Sequence, residues 1–205
     1  MTELYISSLI TFFVVIDPPG CAPIFAGLTA GASAAHRRAM AVRAVFVASL
    51  ILLVFAMFGE DLLHGLGVDL ASFRIAGGIM LFLIALEMVF EKRTQRREDR
   101  AAQVAADQVD DVSIFPMAMP MIAGPGSIAT VMLLGAKHPG LTNHLIVLGA
   151  MATILLATLV SLLAAGPLMR LLGARIEAVV TRVLGVLLAA LAVQFVTDGL
   201  QVSLR

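Results

Sequence analysis

Cysteine, tryptophan and tyrosine are nearly missing from this sequence. Its 205 residues include one cysteine, no tryptophan and one tyrosine. The single cysteine, Cys21, excludes an intramolecular disulfide and a redox or zinc site of the Cys-x-x-Cys type. Without tryptophan, the chain has no aromatic cage of the best kind for a quaternary ammonium ligand.

Charged residues are also scarce. They make up 14% of the chain, while apolar residues make up 60%. In soluble domains about 25% of the residues are charged and about 45–50% are apolar. The net charge is zero, so no global field attracts nucleic acid. No loop of the G-x-x-x-x-G-K type occurs, so ATP coupling would need another subunit. The composition indicates an integral membrane protein, with the lipid bilayer as its surroundings.

Six apolar stretches are long enough to cross a bilayer, which takes roughly 17–25 residues. The first lacks the basic start and the cleavage site of a signal peptide, so we expect it to be retained. The sequence therefore predicts an all-α membrane protein with six transmembrane helices. The predicted spans cover residues 4–26, 38–58, 72–90, 113–135, 144–164 and 179–197.

A polar linker divides the chain. Residues 91–112 form the longest polar stretch, between a first half, 1–90, and a second half, 113–205. Eleven of the fourteen Lys and Arg residues lie in the first, third and fifth connections. Such residues favour the cytoplasmic side. We therefore expect a multi-pass protein of the cell inner membrane, with the linker in the cytoplasm and both termini outside.

The two halves resemble each other. The stretch VVIDPPGCAPIF (14–25) matches PMIAGPGSIATV (120–131) at an offset of 106. The stretch FRIAGG (73–78) matches TRVLGV (181–186) at an offset of 108. Because each half has three spans, an odd number, the second enters the membrane in the opposite direction. This predicts two inverted three-helix repeats, an arrangement that recurs in secondary transporters.

Prolines and glycines interrupt the first and fourth spans at matching positions. Pro18, Pro19 and Pro125 have no backbone N–H, so helical hydrogen bonds are lost, and neighbouring glycines permit unusual backbone angles. Unpaired polar groups are costly in hydrocarbon. We therefore expect helices 1 and 4 to be broken at mid-membrane, where a ligand or protein group supplies partners. The alternative is that these residues form kinks with no further role.

Each break leaves two helix ends. N-termini near Gly20 and Gly126 suit a carboxylate, while carbonyls near Ile16 and Ala123, predicted to be free, suit an ammonium group or a small cation. Asp17 adds a full negative charge. This layout fits a zwitterion whose two charges are close together, as in an amino acid. Asp17 can also cap the second half-helix.

Other polar side chains allow two interpretations each. Ser127 and Thr130 can contact a substrate, and Ser127 can instead cap its own half-helix. Glu87 fits a solvated interfacial position or a proton relay. Arg74 fits snorkelling to the interface or neutralisation of a carboxylate across the bundle.

The chain resembles the MarC family of integral membrane proteins over nearly its whole length. The resemblance lies in FFVVIDPPGCAPIF, FRIAGGIMLFLIALEM and FPMAMPMIAGPGSIATVMLL. The family includes an archaeal transporter of glycine and alanine, which implies broken first and fourth helices with a substrate between them. One departure is Cys21, where asparagine or a similar polar residue is expected. The predicted substrate-binding residues are Asp17, Pro18, Pro19, Gly20, Gly124, Pro125, Gly126, Ser127 and Thr130.

Together these features predict a secondary transporter for small neutral amino acids, coupled to H⁺ or Na⁺. The alternatives are a cargo-free structural or regulatory membrane protein and an intramembrane enzyme. The four histidines lie in predicted loops or, for His144, at the very start of a span, and no lysine lies in a span, so Ser127 lacks a base. We therefore predict no catalytic residue, no metal site and no cofactor. The expected partner is a small zwitterionic solute, with no nucleic acid, and a homo-oligomer stays open.

Overall fold

The computed structural model describes residues 1–90, 95, 96, 99 and 111–204, with the backbone alone over 166–178. Within these residues the chain is helical and forms no β-strand. Seven α-helices and one irregular helical segment follow one another. They are α1 (Thr2–Ile16), α2 (Pro18–Leu28), α3 (Ala34–Gly65), α4 (Leu70–Val89), the irregular segment (Ser113–Ile122), α5 (Pro125–Lys137), α6 (Leu141–Leu163) and α7 (Ala165–Ser203).

Five stretches of the described chain are long and apolar enough to cross a membrane: Thr2–Leu28, α3, α4, α6 and Val179–Ser203. The irregular segment and α5, bent by 50°, make a sixth if they form one span. This confirms the predicted all-α membrane protein. Most of the linker 91–112 lies outside the described residues. The inverted repeat and the mid-membrane depth of the breaks stay predictions.

The outer surface of the bundle is apolar. Large side chains such as Phe46, Met57, Leu83 and Leu156 are exposed. Such a surface suits contact with lipid, whereas a soluble protein rarely has one. The stretch Thr2–Leu28 differs, because its most apolar part is 67% buried, against 28% for α3 and α4. The helices α1 and α2 therefore lie in the interior of the bundle.

Local side chains determine where two long helices begin. Ser33 accepts a hydrogen bond from the N–H of His36 (3.3 Å) at the start of α3. Asp69 accepts from the N–H of Ser72 (2.7 Å) and from its hydroxyl (2.8 Å) at the start of α4. These bonds satisfy N–H groups that the first helical turn leaves unpaired. Gly67, with a φ of 69°, permits the left-handed turn between the two helices.

Glycines bring α4 and α7 into close antiparallel contact. A Cβ on Gly78 of α4 would lie 2.8 Å from the carbonyl oxygen of Ala192 in α7. A Cβ on Gly185 of α7 would lie 3.1 Å from the carbonyl oxygen of Ala85 in α4. The early part of each helix thus faces the late part of the other. Residues without side chains allow the two backbones to approach this closely.

Candidate functional site

The first interruption consists of Asp17, between α1 and α2. Its backbone is left-handed, with φ 60° and ψ 66°, a conformation that Asp tolerates better than most residues. Pro18 contributes, because a residue before proline is disfavoured in the right-handed helical conformation. The Asp17 N–H still donates to the Phe13 carbonyl (3.0 Å), so α1 ends with its regular hydrogen bond.

The Asp17 side chain caps α2. Its Oδ1 accepts a hydrogen bond from the N–H of Gly20 (3.1 Å), and the residue is only 2% exposed. A carboxylate at a helix N-terminus is also favoured by the helix dipole. A Cβ on Gly20 would overlap the Asp17 carboxylate, so a glycine is needed here. The capping role predicted for Asp17 is confirmed.

The second interruption, at Ala123 and Gly124, is built differently. The irregular segment ends at Ile122, and α5 begins at Pro125. No side chain of the described residues caps α5. Because Pro125 has no N–H, the first N–H groups of α5 belong to Gly126 and Ser127. These groups have no acceptor within the helix.

Ser127 and Cys21 make equivalent contacts at the two interruptions. The Ser127 hydroxyl donates to the Ile122 carbonyl (2.8 Å), and the Cys21 thiol donates to the Ile16 carbonyl (3.5 Å). Each contact ties a half-helix to the residue five positions earlier. The prediction of a free carbonyl at Ile16 is therefore wrong, because the break brings a donor into reach. Ser127 likewise does not cap α5, since its hydroxyl points back to the preceding segment.

A cavity of about 570 Å³ lies at the N-terminus of α5. Four predicted site residues line it, namely Gly124, Pro125, Gly126 and Ser127. The cavity therefore borders the uncapped start of a half-helix.

Apolar side chains of α1 and α4 also face this cavity. A Cβ on Gly126 would lie 2.7 Å from Ile84 Cδ1 and 3.4 Å from Val15 Cγ1. Gly126 therefore allows both helices to approach the first turn of α5. Val15 and Ile84 line the cavity as well. Apolar walls around a few polar groups are typical of small-molecule sites.

The structure does not bring every predicted site residue to this cavity. Asp17, Pro18, Pro19 and Gly20 are not in its lining. Thr130, one turn into α5, is fully buried, and its hydroxyl has no hydrogen-bond partner among the described residues. A single substrate site shared by both interruptions stays a prediction.

Two charged residues outside the predicted set line the cavity. They are Glu87 of α4 and Arg96 of the linker. A guanidinium nitrogen of Arg96 lies 2.7 Å from Glu87 Oε1, and the two side chains are 59% and 21% exposed. Glu87 is the only acidic residue of the predicted span 72–90. Glu87 was predicted to be an interfacial residue or a proton relay, and an ionisable residue within a span is also a signal of a binding site.

A second group of polar and charged side chains lies at the C-terminal end of α5. Lys137 donates to one oxygen of Asp198 (2.7 Å), and Gln194 donates to the other (2.6 Å). Arg74 donates to the Ala136 carbonyl (3.2 Å). Arg74 thus reaches across the bundle to a helix C-terminus, where cations are favourable. These contacts tie α5 to α4 and α7.

Outside the spans, Asp69 and His138 have shifted pKa values. Hydrogen bonds from the backbone and hydroxyl of Ser72 lower the pKa of Asp69 below its ordinary value of 3.8. Burial, and then the charge of Lys137, lower the pKa of His138 below its ordinary value of 6.5, so the neutral imidazole is favoured. In the part of the chain that the structure describes, no group of three His, Cys, Asp or Glu residues could hold a metal ion.

Similar proteins cover the whole chain. Residues 2–204 match the family described as MarC family integral membrane protein. A UPF0056 membrane protein of Archaeoglobus fulgidus is 34% identical over 198 residues, which are 97% of this chain and 92% of the relative. The UPF0056 inner membrane protein YhgN of Escherichia coli is 33% identical over 208 aligned positions, with 100% of both chains covered. No solved structure matches the chain. The resemblance is confirmed: this multi-pass helical chain belongs to the MarC family of integral membrane proteins.

Proposed function

We propose that this protein is a secondary transporter of small neutral amino acids such as glycine and alanine, coupled to H⁺ or Na⁺. One contrast carries the proposal. Asp17 caps α2, whereas α5, its counterpart in the second half, has no side-chain cap among the described residues and borders a cavity. The sequence alignment has Ala123 where Asp17 stands in the first half. A substrate carboxylate would take at α5 the position that the Asp17 carboxylate has at α2.

The first turn of α5 suits a carboxylate for two reasons. The N–H groups of Gly126 and Ser127 point out of the helix start, and the N-terminus carries about half a positive elementary charge. The neighbouring Val15 and Ile84 are apolar. They suit a small aliphatic side chain, because burying a further charge beside them would be unfavourable. This combination supports neutral amino acids as the substrate class.

Contacts between α4 and α7 support the inverted repeat. Gly78 faces the Ala192 carbonyl, and Gly185 faces the Ala85 carbonyl. Positions 78 and 185 differ by 107, as do positions 85 and 192, which is one less than the offset of 108 that aligns FRIAGG with TRVLGV and pairs Gly77 with Gly185. A valine methyl accompanies the alanine carbonyl at both glycines. A two-fold axis in the membrane plane would produce this exchange of partners.

The remaining helix contacts repeat in the same way. The helix α1 packs against α6 as the irregular segment packs against α3. Likewise α2 packs against α6 and α7 as α5 packs against α3 and α4. The contact of Cys21 with the Ile16 carbonyl and that of Ser127 with the Ile122 carbonyl are also at equivalent positions of the two halves. These correspondences support two inverted three-helix repeats, with helices 1 and 4 broken at matching depths near mid-membrane.

Two observations favour transport over the alternatives. A cargo-free protein should have a packed centre without a cavity between the two interruptions, whereas a cavity borders the second interruption. An enzyme should have a base beside Ser127, but the hydroxyl of Ser127 donates to the Ile122 carbonyl.

The proposal includes the location of the protein. We propose the cell inner membrane, which the name of the Escherichia coli relative states for that protein. Both termini would lie outside and the linker 91–112 in the cytoplasm. Arg74 and Lys137, both predicted on the outer side, lie at the same end of the bundle, since Arg74 bonds to the neighbour of Lys137. The two connections that contain them are therefore on one side of the membrane, as the predicted topology requires.

Uptake into liposomes tests the function. The purified protein is reconstituted, and uptake of labelled glycine and alanine is measured under H⁺ and Na⁺ gradients imposed separately. We expect saturable uptake that responds to one of the two gradients. Absence of uptake by folded wild-type protein under both gradients would contradict the assignment to glycine and alanine.

Gly126→Ala tests the site at α5. The added methyl group would meet the end of the flexible Ile84 side chain, which can move, while the first turn of α5 becomes crowded. Gly27→Ala is the matched control, because a Cβ on Gly27 has no neighbour within 4 Å. We expect Gly126→Ala to weaken uptake roughly tenfold, equivalent to about 1.4 kcal/mol. Equal uptake by the two variants would argue against this location of the site.

A further inference from the structure

The cavity at α5 contains a carboxylate and a cation in contact with each other. Among the described residues that line it, Glu87 is the carboxylate and Arg96 the cation. Glu87 lies near the end of α4, and Arg96 follows it in the linker, with 2.7 Å between their charged groups. The uncapped N-terminus of α5 and this ion pair therefore face the same space.

Glu87 lies on the face of α4 that packs against α5. Ile84 meets Gly126 at the first turn of α5, and residues three apart on a helix are neighbours on one face. Three residues rise about 4.5 Å along the helix axis. Glu87 thus lies about one turn along α4 from the residue that meets Gly126, and both Glu87 and Gly126 line the cavity. An α-amino acid, whose two charged groups share one carbon atom, is small enough for this cavity of about 570 Å³.

The ion pair is suited to exchange of its cation. Arg96 is 59% exposed, and such a pair is weak because water screens it. The guanidinium group can therefore leave into solvent. Glu87 is only 21% exposed, so its carboxylate has lost much of its hydration and favours a cationic partner. A cation that enters the cavity can replace Arg96 at little cost.

We propose that Glu87 binds the ammonium group of the ligand, and that Arg96 occupies this position when the cavity is empty. The inference rests on the proposed transport function and gives the same site a second recognition group. Binding replaces the guanidinium with the ammonium group, so the carboxylate stays paired throughout.

Uptake kinetics of charge-neutralised variants test this inference. Glu87→Gln is expected to raise the KM for labelled alanine about tenfold or more, because a charge-assisted hydrogen bond is lost. Arg96→Gln is expected to lower the KM about two- to fivefold, since a weak competing cation is removed. Glu60→Gln and Arg38→Gln are the controls, because both residues are exposed on α3 and outside the cavity. Both controls should keep the wild-type KM.

Competition by glycolate separates recognition of the ammonium group from general damage. Glycolate has a hydroxyl group where glycine has the ammonium group, so it should compete poorly with alanine in the wild type. In Glu87→Gln the preference for glycine over glycolate should fall about tenfold. An unchanged KM and an unchanged preference in Glu87→Gln, with active wild-type protein, would overturn the inference and leave the transport function standing.

Thiol labelling tests the charges of the cavity without transport. In a Cys21→Ser background, cysteine replaces Met121 or, as a second variant, Met80, and both positions line the cavity. The reaction rates of a cationic and an anionic methanethiosulfonate reagent are compared. Arg96→Gln should raise the ratio of the cationic to the anionic rate severalfold, and Glu87→Gln should lower it. The control Glu60→Gln should leave the ratio unchanged.

The uptake and labelling assays distinguish a failure of the proposed transport function from a failure of the inference about Glu87. If the wild type takes up no amino acid but the labelling ratio changes as expected, the transport function is contradicted and Glu87 is supported as the cation-binding group. If Glu87→Gln leaves the labelling ratio unchanged at both cysteine positions, the inference is overturned whatever the uptake shows.

Discussion

Asp17 meets three requirements at one position. It takes up a left-handed backbone, it precedes Pro18, and its carboxylate caps α2. Asparagine tolerates the same backbone and offers the same carbonyl acceptor, while alanine does neither. The chain can therefore be interrupted inside an apolar stretch without leaving the Gly20 N–H unpaired. The interruption between α1 and α2 therefore depends on the side chain of Asp17.

Substitutions at Asp17 separate its hydrogen bond from its charge. We expect Asp17→Ala to lower the free energy of unfolding by about 1–2 kcal/mol for the cap and by about 1–2 kcal/mol more for the left-handed backbone. Asp17→Asn should lower it much less. Thermal unfolding in detergent measures the difference. Equal destabilisation by both substitutions would mean that the negative charge of Asp17, and not its hydrogen bond, stabilises the interruption between α1 and α2.

Asp69 should make stability depend on pH. Its folded pKa lies below the ordinary 3.8 because Ser72 donates to it, so the unfolded chain binds the proton more readily. The stabilisation is present above pH 3.8 and is lost as the pH falls through the lowered folded pKa. Thermal unfolding of the wild type and of Asp69→Asn between neutral and acidic pH measures this. Wild-type stability should exceed that of the variant at neutral pH, and the gap should close in acid; a constant gap would contradict the prediction.

At the scale of helices, α5 is tied at one end and uncapped at the other. Its C-terminal end is held by Arg74, Lys137 and Asp198, while its N-terminal end faces a cavity. A helix held in this way keeps its N–H groups directed at a fixed place. The contacts at the C-terminal end therefore support the site from a distance, since one helix joins both.

A double-mutant cycle measures how strongly the contact between Lys137 and Asp198 stabilises the C-terminal end of α5. Asp198→Asn leaves Lys137 without its carboxylate, and Lys137→Met leaves Asp198 without its ammonium partner. We expect each single change to lower the free energy of unfolding by about 0.5–1 kcal/mol, since the pair is partly exposed to water, with the double variant less affected than the sum. Chemical unfolding in detergent gives the coupling energy. Strict additivity would show that the two residues do not stabilise α5 as a pair.

At the scale of the whole molecule, elements of the two halves contact one another in matching pairs. The contact of α4 with α7 joins the third helix of one half to the third helix of the other. Glycines at Gly78 and Gly185 permit it from both sides. This contact is where the proposed two-fold relation between the halves would have its most direct consequence, because equivalent positions should respond equally to substitution.

Gly78→Ala and Gly185→Ala test that relation. Each added methyl would approach a backbone carbonyl of the facing helix, at 2.8 Å and 3.1 Å. We expect similar losses of stability, about 1–3 kcal/mol each, from overpacking. Gly27→Ala, in open space, is the control and should be neutral or stabilising. A large effect at one glycine and none at the other would contradict an equivalent role in two repeats.

Much of this fold is determined by the sequence itself. Hydrophobicity over about 20 residues is a local property, so the spans could be predicted from the apolar stretches. Pro18 and Pro125 act on their own helical turn, so the positions of both interruptions follow from their neighbours in the chain. The family could be recognised for the same reason, since its motifs are continuous stretches such as residues 12–25 and 115–134.

The tertiary structure decided which interruption borders a cavity. The Asp17 cap joins residues three apart and could be predicted from the sequence, but α5 is open to a cavity because of how α1 and α4 pack around Gly126. The partners of Glu87 and Arg74 likewise depend on packing between separate elements. Helical periodicity indicates which face of a helix is apolar, but it contains no information about which distant helix that face will meet. The site therefore emerges only when the helices pack.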